Sequence, residues 1–194
     1  MRFLSFVASL ALATVTGIAV AAPDNQAAEP DGSNPLKPIA VLDVPRYMGT
    51  WYEIARFPNR FQKNCVGFTK AHYRAKPDGT VEVINQCREK DGEIKVAVGE
   101  ARQLGGTASA TLKVRFAPAW LAFLPMVWGD YWVIDLDPAY RLAAVSEPER
   151  EYLWILSRDP IPEASSYQAL LQRLRRKGLD TDRLLLTPQR QGSQ

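Results

Sequence analysis

The chain has 194 residues, which is long enough for one domain with a substantial core. Charged residues make up 23% of it and hydrophobic residues 46%, a composition that indicates a globular protein and excludes a disordered one. The formal net charge of +3 is too small to indicate the basic patch that nucleic-acid binding requires, so no nucleic-acid partner is expected. The single histidine, His72, has no carboxylate cluster near it in the sequence, and we therefore expect neither a metal site nor another cofactor.

Residues 1–22 have the pattern of a cleaved signal peptide. A charged start precedes a largely apolar run, and Ala19-Val20-Ala21 supplies a small-x-small cleavage site. An uncleaved anchor is the alternative, because the apolar run approaches membrane-spanning length. No cysteine lies near the cleavage site, so an acyl anchor is not expected there. The leader therefore predicts a periplasmic or secreted protein.

Residues 23–40 are rich in proline and small polar residues, which predicts a flexible linker. The folded domain is expected over 41–188, with a tail at 189–194. It begins with a short helical turn, Asp43-Val44-Pro45-Arg46-Tyr47.

Eight strands are expected after this turn, at a spacing of about ten residues, with turn signals such as Asp78-Gly79 between them. The predicted strands cover residues 50–57, 65–75, 80–88, 93–103, 109–116, 130–136, 141–146 and 151–158. The series indicates an all-β barrel or sandwich. Closure into an eight-stranded antiparallel up-and-down barrel removes the exposed edges.

One helix is predicted after the last strand and is expected to pack on the barrel wall. Pro162 suits its first turn, and Gly178 suits its C-terminal end. The apolar residues at helical spacing are Tyr167, Leu170, Leu171 and Leu174.

The motif Gly49-x-Trp51 at the first strand and Arg158 at the end of the last strand resemble the two ends of a lipocalin barrel. The segment 136–140, Leu-Asp-Pro-Ala-Tyr, resembles the family's third motif. The resemblance covers residues 40–188 and points to the bacterial outer-membrane lipocalins and apolipoprotein D, which share the run Gly-x-Trp-Tyr-Glu-Ile. It implies that Arg158 packs over Trp51 and closes the barrel floor. Gly49 then lets the backbone approach closely or take a positive φ.

The same resemblance implies a barrel that holds one small apolar or amphiphilic ligand, a fatty acid or a lysophospholipid, without turnover. Strand alternation puts Trp51, Glu53 and Ala55 on one face, and Arg56 on the other, near the mouth. The candidate ligand-binding residues, from alternation and from the motifs of apolipoprotein D, are Tyr47, Glu53, Arg56, Tyr73, Trp154 and Leu156. For the aromatic candidates, plain core packing is the competing interpretation.

The loop 117–130, at the expected mouth of the barrel, is strongly apolar and nearly uncharged. Its most prominent side chains are Trp120, Phe123, Met126 and Trp128. So much apolar surface is expected to cap the ligand, to contact a membrane, or to fold inward as part of the core.

Cys65 and Cys87 are an even pair, which predicts a disulfide in an oxidising compartment. The hairpin register separates them by five residues, or ~17 Å along a strand. The bond therefore requires a bulge, or a Cys65 folded back in the preceding loop. A reactive thiol of a lipocalin-type enzyme is the alternative. A protein that docks on a membrane or a partner through loop 117–130 is a second alternative. The sequence is compatible with both a monomer and a homodimer.

Overall fold

The computed structural model describes residues 34–189 of the chain. The predicted signal peptide, the first part of the predicted linker and residues 190–194 lie outside the described residues. Within the described range, two α-helices and nine β-strands alternate with short 3₁₀ turns. The helices are α1 (Val44–Tyr47) and α2 (Ala164–Arg176), and the strands are β1 (Gly49–Arg56), β2 (Cys65–Ala75), β3 (Val81–Glu89), β4 (Ile94–Gln103), β5 (Thr111–Arg115), β6 (Gly129–Leu136), β7 (Leu142–Ser146), β8 (Leu153–Ser157) and β9 (Leu185–Leu186).

The first eight strands form a closed antiparallel barrel. Each strand pairs with the next along the chain, β8 pairs with β1, and β1 pairs with β2. The predicted eight-stranded up-and-down barrel with one C-terminal helix is thus confirmed. The two-residue strand β9, which the sequence did not predict, pairs with β1.

Apolar side chains form two separate clusters, one on each side of the barrel wall. The interior cluster includes Trp51, Tyr73 and Val133. The outer cluster includes Ile155 and packs beneath α2 through Leu170 and other residues. This division follows from the period of two in a strand, which sends successive side chains to opposite faces.

Helix α2 begins and ends at capping residues. Glu163 is the N-cap, and its carboxylate accepts hydrogen bonds from two backbone N–H groups of the first turn. Pro162 lies before this cap, so the prediction that it occupies the first helical turn is wrong. Gly178, with a φ of +76°, ends the helix, and the N–H of Leu179 returns to the carbonyl of Leu174.

The inner face of α2 is held to the wall by burial and by one ion pair. Leu170 and Leu174 are fully buried against the outer cluster. Arg173 donates from Nε and Nη2 to the two carboxylate oxygens of Asp135 on β6, at 2.9 and 2.8 Å. Among the described residues, no helix is both long and apolar enough to cross a membrane.

A bulge in β1 changes which residues face the interior. The pairing of β1 with β8 shifts between Glu53 and Ala55. Ile54 and Ala55 therefore both lie in the outer cluster, and the prediction that Ala55 shares the face of Trp51 is wrong. The bulge also turns the Arg56 guanidinium back toward Glu53, although strict alternation placed it on the other face.

The predicted disulfide between Cys65 and Cys87 is confirmed, with the two Cα atoms 5.7 Å apart. The pairing of β2 with β3 shifts on both sides of Gly67, once before it and once between it and Lys70. Phe68, inside the second shift, has a φ of +54°. These irregularities supply the bulge that the hairpin register required.

Residues 34–40, the last part of the predicted linker, are packed against the barrel. Leu36 is buried in the outer cluster, and the N–H of Ile39 donates to the carbonyl of Val133 at 2.8 Å. Arg150 donates from Nη2 to the carbonyl of Asn34 at 2.6 Å. The packed part of the chain therefore begins earlier than the expected boundary at residue 41.

Candidate functional site

The barrel has two different ends, which we call the floor and the mouth, and we call the interior between them the cup. The floor carries α1 and the turns at 76–80, 104–110 and 137–141. The mouth carries the loops at 57–64, 90–93, 116–128 and 147–152. The alternating strand directions fix this assignment.

Arg158 closes the floor. Its guanidinium carbon lies 4.0 Å from the ring centroid of Trp51, which is fully buried. The same guanidinium donates to four backbone carbonyls. These acceptors belong to Arg46, Met48, Thr50 and Tyr140, at 2.9, 2.7, 2.8 and 3.3 Å.

Gly49 makes this close approach possible. Its φ is +94°, and a Cβ at this position would lie 3.3 Å from Nη1 of Arg158. The indole N–H of Trp51 donates to the carbonyl of Tyr47 at 2.8 Å. The ring is therefore held by this hydrogen bond at its edge and by the Arg158 guanidinium over its face. The floor is thus a packed plug in which four of the five N–H groups of the Arg158 guanidinium are hydrogen-bonded.

Above the floor, three tyrosine hydroxyls form a chain. The hydroxyl of Tyr131 lies 3.0 Å from that of Tyr47 and 3.0 Å from that of Tyr73. The rings of Tyr47 and Tyr73 stack with their centroids 5.7 Å apart. Three hydroxyl protons serve two contacts, so one O–H has no acceptor within this tyrosine triad.

Burial around the three hydroxyl groups keeps the triad protonated, although Tyr131 as a whole residue is only partly buried. It raises the pKa of Tyr73 to about 12, and it also raises the pKa of Tyr47 and of Tyr131 well above the usual value of a phenol. At neutral pH the triad therefore presents neutral hydroxyls, which donate hydrogen bonds without adding charge to the cup.

A second polar group lies nearer the mouth, around Glu53. Its Oε1 accepts from Nη1 of Arg56 at 2.8 Å and from the hydroxyl of Thr187 at 2.5 Å. Its Oε2 accepts from Nε2 of Gln62 at 2.6 Å, and Oε1 of Gln62 in turn accepts from the indole N–H of Trp154 at 2.8 Å. We call these five residues the Glu53 network. Its members satisfy one another, as buried charges require.

The structure brings the predicted lining residues together inside the barrel, but they differ in burial and in their partners. Tyr47, Tyr73 and Leu156 belong to the buried interior cluster. Glu53 and Arg56 are buried in their mutual ion pair. Trp154 is only partly buried, and its ring stacks on Tyr152 with centroids 5.7 Å apart. Their contact with a ligand stays a prediction.

Sequence reasoning missed Tyr131, the central residue of the triad. The signal was present, because Tyr131 and Val133 alternate on the predicted sixth strand and would share the interior face. It also missed Thr187 and Gln62, which reach the Glu53 network from segments outside the eight strands.

The apolar mouth loop does not fold inward as a unit. Trp120, Phe123 and Met126 are 73%, 77% and 85% exposed. Trp128 is different, since it lies against the outer wall beneath Arg102, whose guanidinium carbon is 4.2 Å from its ring centroid. Of the four side chains that the sequence groups in this loop, Trp128 is thus buried, whereas Trp120, Phe123 and Met126 are exposed. Trp128 anchors the loop.

A surface groove of about 650 Å³ lies near the floor, outside the barrel. It is lined by residues 37–40 and 105–110 and has no aromatic side chain. This groove is therefore not the predicted cup.

The alternative of an enzyme with a cavity thiol has no support in the structure. Cys65 and Cys87 are the two cysteines of the chain, and they are bonded to each other. Neither sulfur is available as a thiolate nucleophile in this state.

The lipocalin-like domain model matches residues 42–189, which is most of the chain. The chain belongs to the lipocalin family. It is 45% identical over 152 residues to temperature-induced lipocalin-1 of Arabidopsis thaliana, covering 76% of this chain and 80% of that protein. It is 39% identical over 163 residues to the outer membrane lipoprotein Blc of Escherichia coli K12, covering 81% and 88%.

The likeness extends to animal lipocalins. Apolipoprotein D of Mus musculus is 32% identical over 168 residues, covering 81% of this chain and 83% of that protein. Among solved structures, insecticyanin of the tobacco hornworm Manduca sexta is similar in fold, with a TM-score of 0.61 at 17% identity over 78% and 83% of the two chains. The resemblance to this family is thus confirmed, and lipocalins bind small hydrophobic ligands.

Proposed function

We propose that this lipocalin binds one fatty acid or lysophospholipid in the cup, with its alkyl chain among the inward-facing aromatic side chains, and that it catalyses no reaction. The observation that carries this proposal is the state of Trp154 and Tyr131. Both face the inside of a closed barrel, yet both are only partly buried. A filled core would bury them, whereas an open cup leaves surface for a ligand.

The chemistry of the cup suits an amphiphile. Alkyl burial stabilises the complex by ~0.8 kcal/mol per CH₂ group. The one O–H that has no acceptor within the tyrosine triad is a neutral donor for a carboxylate or phosphate oxygen of the head group. The charges of the Glu53 network are already paired, so that network shapes the wall and Trp154 is the member that contacts the alkyl chain.

The test is a fluorescence titration with oleate and with an oleoyl lysophospholipid. Saturable quenching is expected for at least one of them, because the ligand covers the indole of Trp154. Trp154→Phe should remove most of the quenching amplitude, while the matched control Trp120→Phe, at the exposed loop, should retain it. The proposal is wrong if neither lipid gives saturable quenching of the unmodified protein.

The mouth loop supports a second function, peripheral membrane contact. Three large apolar side chains are exposed on one loop, and aromatic and aliphatic groups of this kind suit the boundary between lipid headgroups and acyl chains. Contact there would place the mouth of the cup next to the bilayer from which a lipid is collected or to which it is delivered.

Vesicle co-sedimentation tests this second function. Combined Trp120→Ser, Phe123→Ser and Met126→Ser changes should abolish association while the affinity for lysophospholipid stays the same. Val96→Ser with Val98→Ser is the control, because these residues are also exposed but lie on the outer wall of β4. Equal loss in the control would mean that general surface hydrophobicity, and not the loop, causes the association.

Export completes the proposal. The predicted signal peptide at 1–22, the Cys65–Cys87 disulfide and the similarity to an outer membrane lipoprotein support a periplasmic or secreted location. Mass determination of the mature protein from its host would identify cleavage after Ala21 or Ala22, and an intact residue 1–22 segment would contradict it.

A further inference from the structure

We call the contact between two neighbouring strands a seam. In the seam between β1 and β2, direct backbone pairing covers only part of the strand length. β1 and β2 are paired directly only in the floor half, from Gly49 opposite Tyr73 to Tyr52 opposite Lys70. Beyond this point each strand has a bulge, at Ile54 in β1 and around Phe68 in β2. The two strands separate toward the mouth, and a later segment of the chain fills the space between them.

That segment is residues 185–189, which we call the C-terminal strap. On one side it pairs with Ala55 and Arg56, and the N–H of Thr187 donates to the carbonyl of Ile54 at 2.9 Å. On the other side the carbonyl of Pro188 accepts from the N–H of Phe68 at 2.7 Å. The strap therefore replaces the missing backbone pairing of the mouth half.

Side chains of the strap complete the same seam. Nε2 of Gln189 donates to the carbonyls of Glu53 and Thr69, at 2.7 and 2.8 Å, and so joins β1 to β2. The hydroxyl of Thr187 enters the Glu53 network from outside the eight strands. Among the described residues, the one direct side-chain bond that crosses this gap without the strap runs from Nη2 of Arg56 to the carbonyl of Cys65, at 3.2 Å.

The position of Gly67 shows how close the strap lies. A Cβ on Gly67 would be 2.8 Å from the carbonyl oxygen of Pro188, which is too near for any other residue without a shift. A glycine in the interior of a strand weakens that strand, so its presence here serves the approach of the strap.

Burial of apolar side chains contributes little to the attachment of the strap, and Thr187 is the buried residue among its five. Leu185 and Leu186 are 48% and 70% exposed, so nearly half of the first and most of the second gain nothing from the docked position. The chain just before the strap is held firmly, because Thr181 is buried and accepts from Nε of Arg175 at 2.7 Å, and Leu184 packs against the outer cluster. Opening is therefore expected to hinge at residue 184 and to leave the rest of the barrel paired.

We propose that the C-terminal strap is a gate in the barrel wall, and that its release opens a lateral route between β1 and β2 for the alkyl chain of the ligand. Release would remove Thr187 from the Glu53 network and would break the Gln189 bridge between the carbonyls of Glu53 and Thr69. Only the Arg56 side chain would then span the gap. A lipid could then slide into the cup from the side, with its chain parallel to the strands. The route rests on the proposed lipid-binding function, but the opening itself does not.

Hydrogen exchange tests the opening without any ligand. The amides of Thr187 and Phe68 depend on the strap, whereas the amide of Phe57 donates to the carbonyl of Leu153 on the other edge of β1, at 2.9 Å and at a similar height. The gate predicts much faster exchange at Thr187 and Phe68 than at Phe57. Equal protection of the three amides would overturn it, whatever the protein binds.

Binding kinetics test the route. Gln189→Ala removes the side-chain bridge between β1 and β2 and leaves all five side chains of the Glu53 network in place. With an oleoyl lysophospholipid, this variant should raise the association and dissociation rates by a similar factor, on the order of threefold to tenfold, and leave Kd nearly unchanged. Gln168→Ala, on the exposed face of α2, is the control and should change neither rate.

The two proposals fail in different ways. A change in the dissociation rate alone would mean that the strap contacts the ligand, and unchanged rates would mean that the ligand uses the mouth; either result overturns the gate. No binding by the unmodified protein, together with fast exchange at Thr187 and Phe68, would overturn the proposed function and leave the opening intact.

Discussion

At the floor of the barrel one guanidinium donates to four backbone carbonyls, whereas at the mouth three large apolar side chains lie in solvent. The floor has a close-packed tryptophan and a glycine whose missing side chain leaves room for Arg158. The mouth half has a seam closed by a short strap and a loop anchored through Trp128. The difference fits the division of labour that we propose, in which the floor stabilises the fold and the mouth half exchanges ligand.

The largest expected effect is at the floor. Arg158→Ala removes four hydrogen bonds and the contact with the Trp51 ring, and it should lower the free energy of unfolding by about 2–4 kcal/mol. Urea denaturation measures this loss. Arg141→Ala is the control, because this exposed arginine pairs with the exposed Asp159, and the expected change is below about 1 kcal/mol. Similar losses in both variants would contradict the claim that Arg158 at the floor contributes more to stability than an exposed arginine does.

The mouth loop should divide into one structural residue and several dispensable ones. Trp128→Ala removes a buried ring that lies beneath Arg102 and donates to the carbonyl of Ala122, so we expect a loss of about 2–3 kcal/mol. Trp120→Ala, at an exposed position of the same loop, should stay within about 0.5 kcal/mol of the unmodified protein. Thermal unfolding of the two variants distinguishes them, and equal midpoints would contradict the anchoring role.

A pair of glycines separates backbone strain from crowding. Gly49 and Gly79 have φ angles of +94° and +82°, but only Gly49 has a neighbour within 4 Å of an added Cβ, the guanidinium of Arg158. Both alanine variants should lose about 1 kcal/mol from the positive φ, and Gly49→Ala should lose about 1 kcal/mol more. If the two losses are the same in urea denaturation, the close approach at the floor contributes nothing.

The last effect concerns the tyrosine triad, and it becomes visible only in alkaline solution. Burial raises the pKa of Tyr73 from 10.0 to about 12, so the folded state holds this proton more tightly than the unfolded state. The resulting stability is fully present below pH 10 and is lost as the pH rises from 10 toward 12. Tyr73→Phe should therefore show a shallower loss over this window. An identical pH dependence for both proteins would contradict the burial of the triad.

The barrel followed from the sequence because its strands alternate and are separated by strong turn signals, and because Gly49, Trp51 and Arg158 carry the lipocalin motif. The face of Arg56 did not follow. A bulge inserts one residue without any pattern of its own, and a single insertion reverses the alternation beyond it. The leading role of Glu53 in a paired network could not be seen for the same reason.

The C-terminal strap and the anchoring role of Trp128 could not be predicted for a different reason, because both depend on tertiary contacts. The run Leu184-Leu185-Leu186 has neither helical nor strand periodicity, and its pairing with β1 depends on a space between two distant strands. Trp128 resembles Trp120 in its sequence context, and what distinguishes it is its contacts with Arg102, Arg115 and the carbonyl of Ala122. Contacts that depend on tertiary geometry leave no local signal.

The most direct test of the cup as a lipid site is native mass spectrometry of the protein purified from its own host, with extraction and identification of whatever is bound. We expect one lipid per barrel, with a single alkyl chain and a carboxylate or phosphate head group. A protein that is isolated empty, and that gives no saturable quenching with oleate or an oleoyl lysophospholipid, would contradict the central claim.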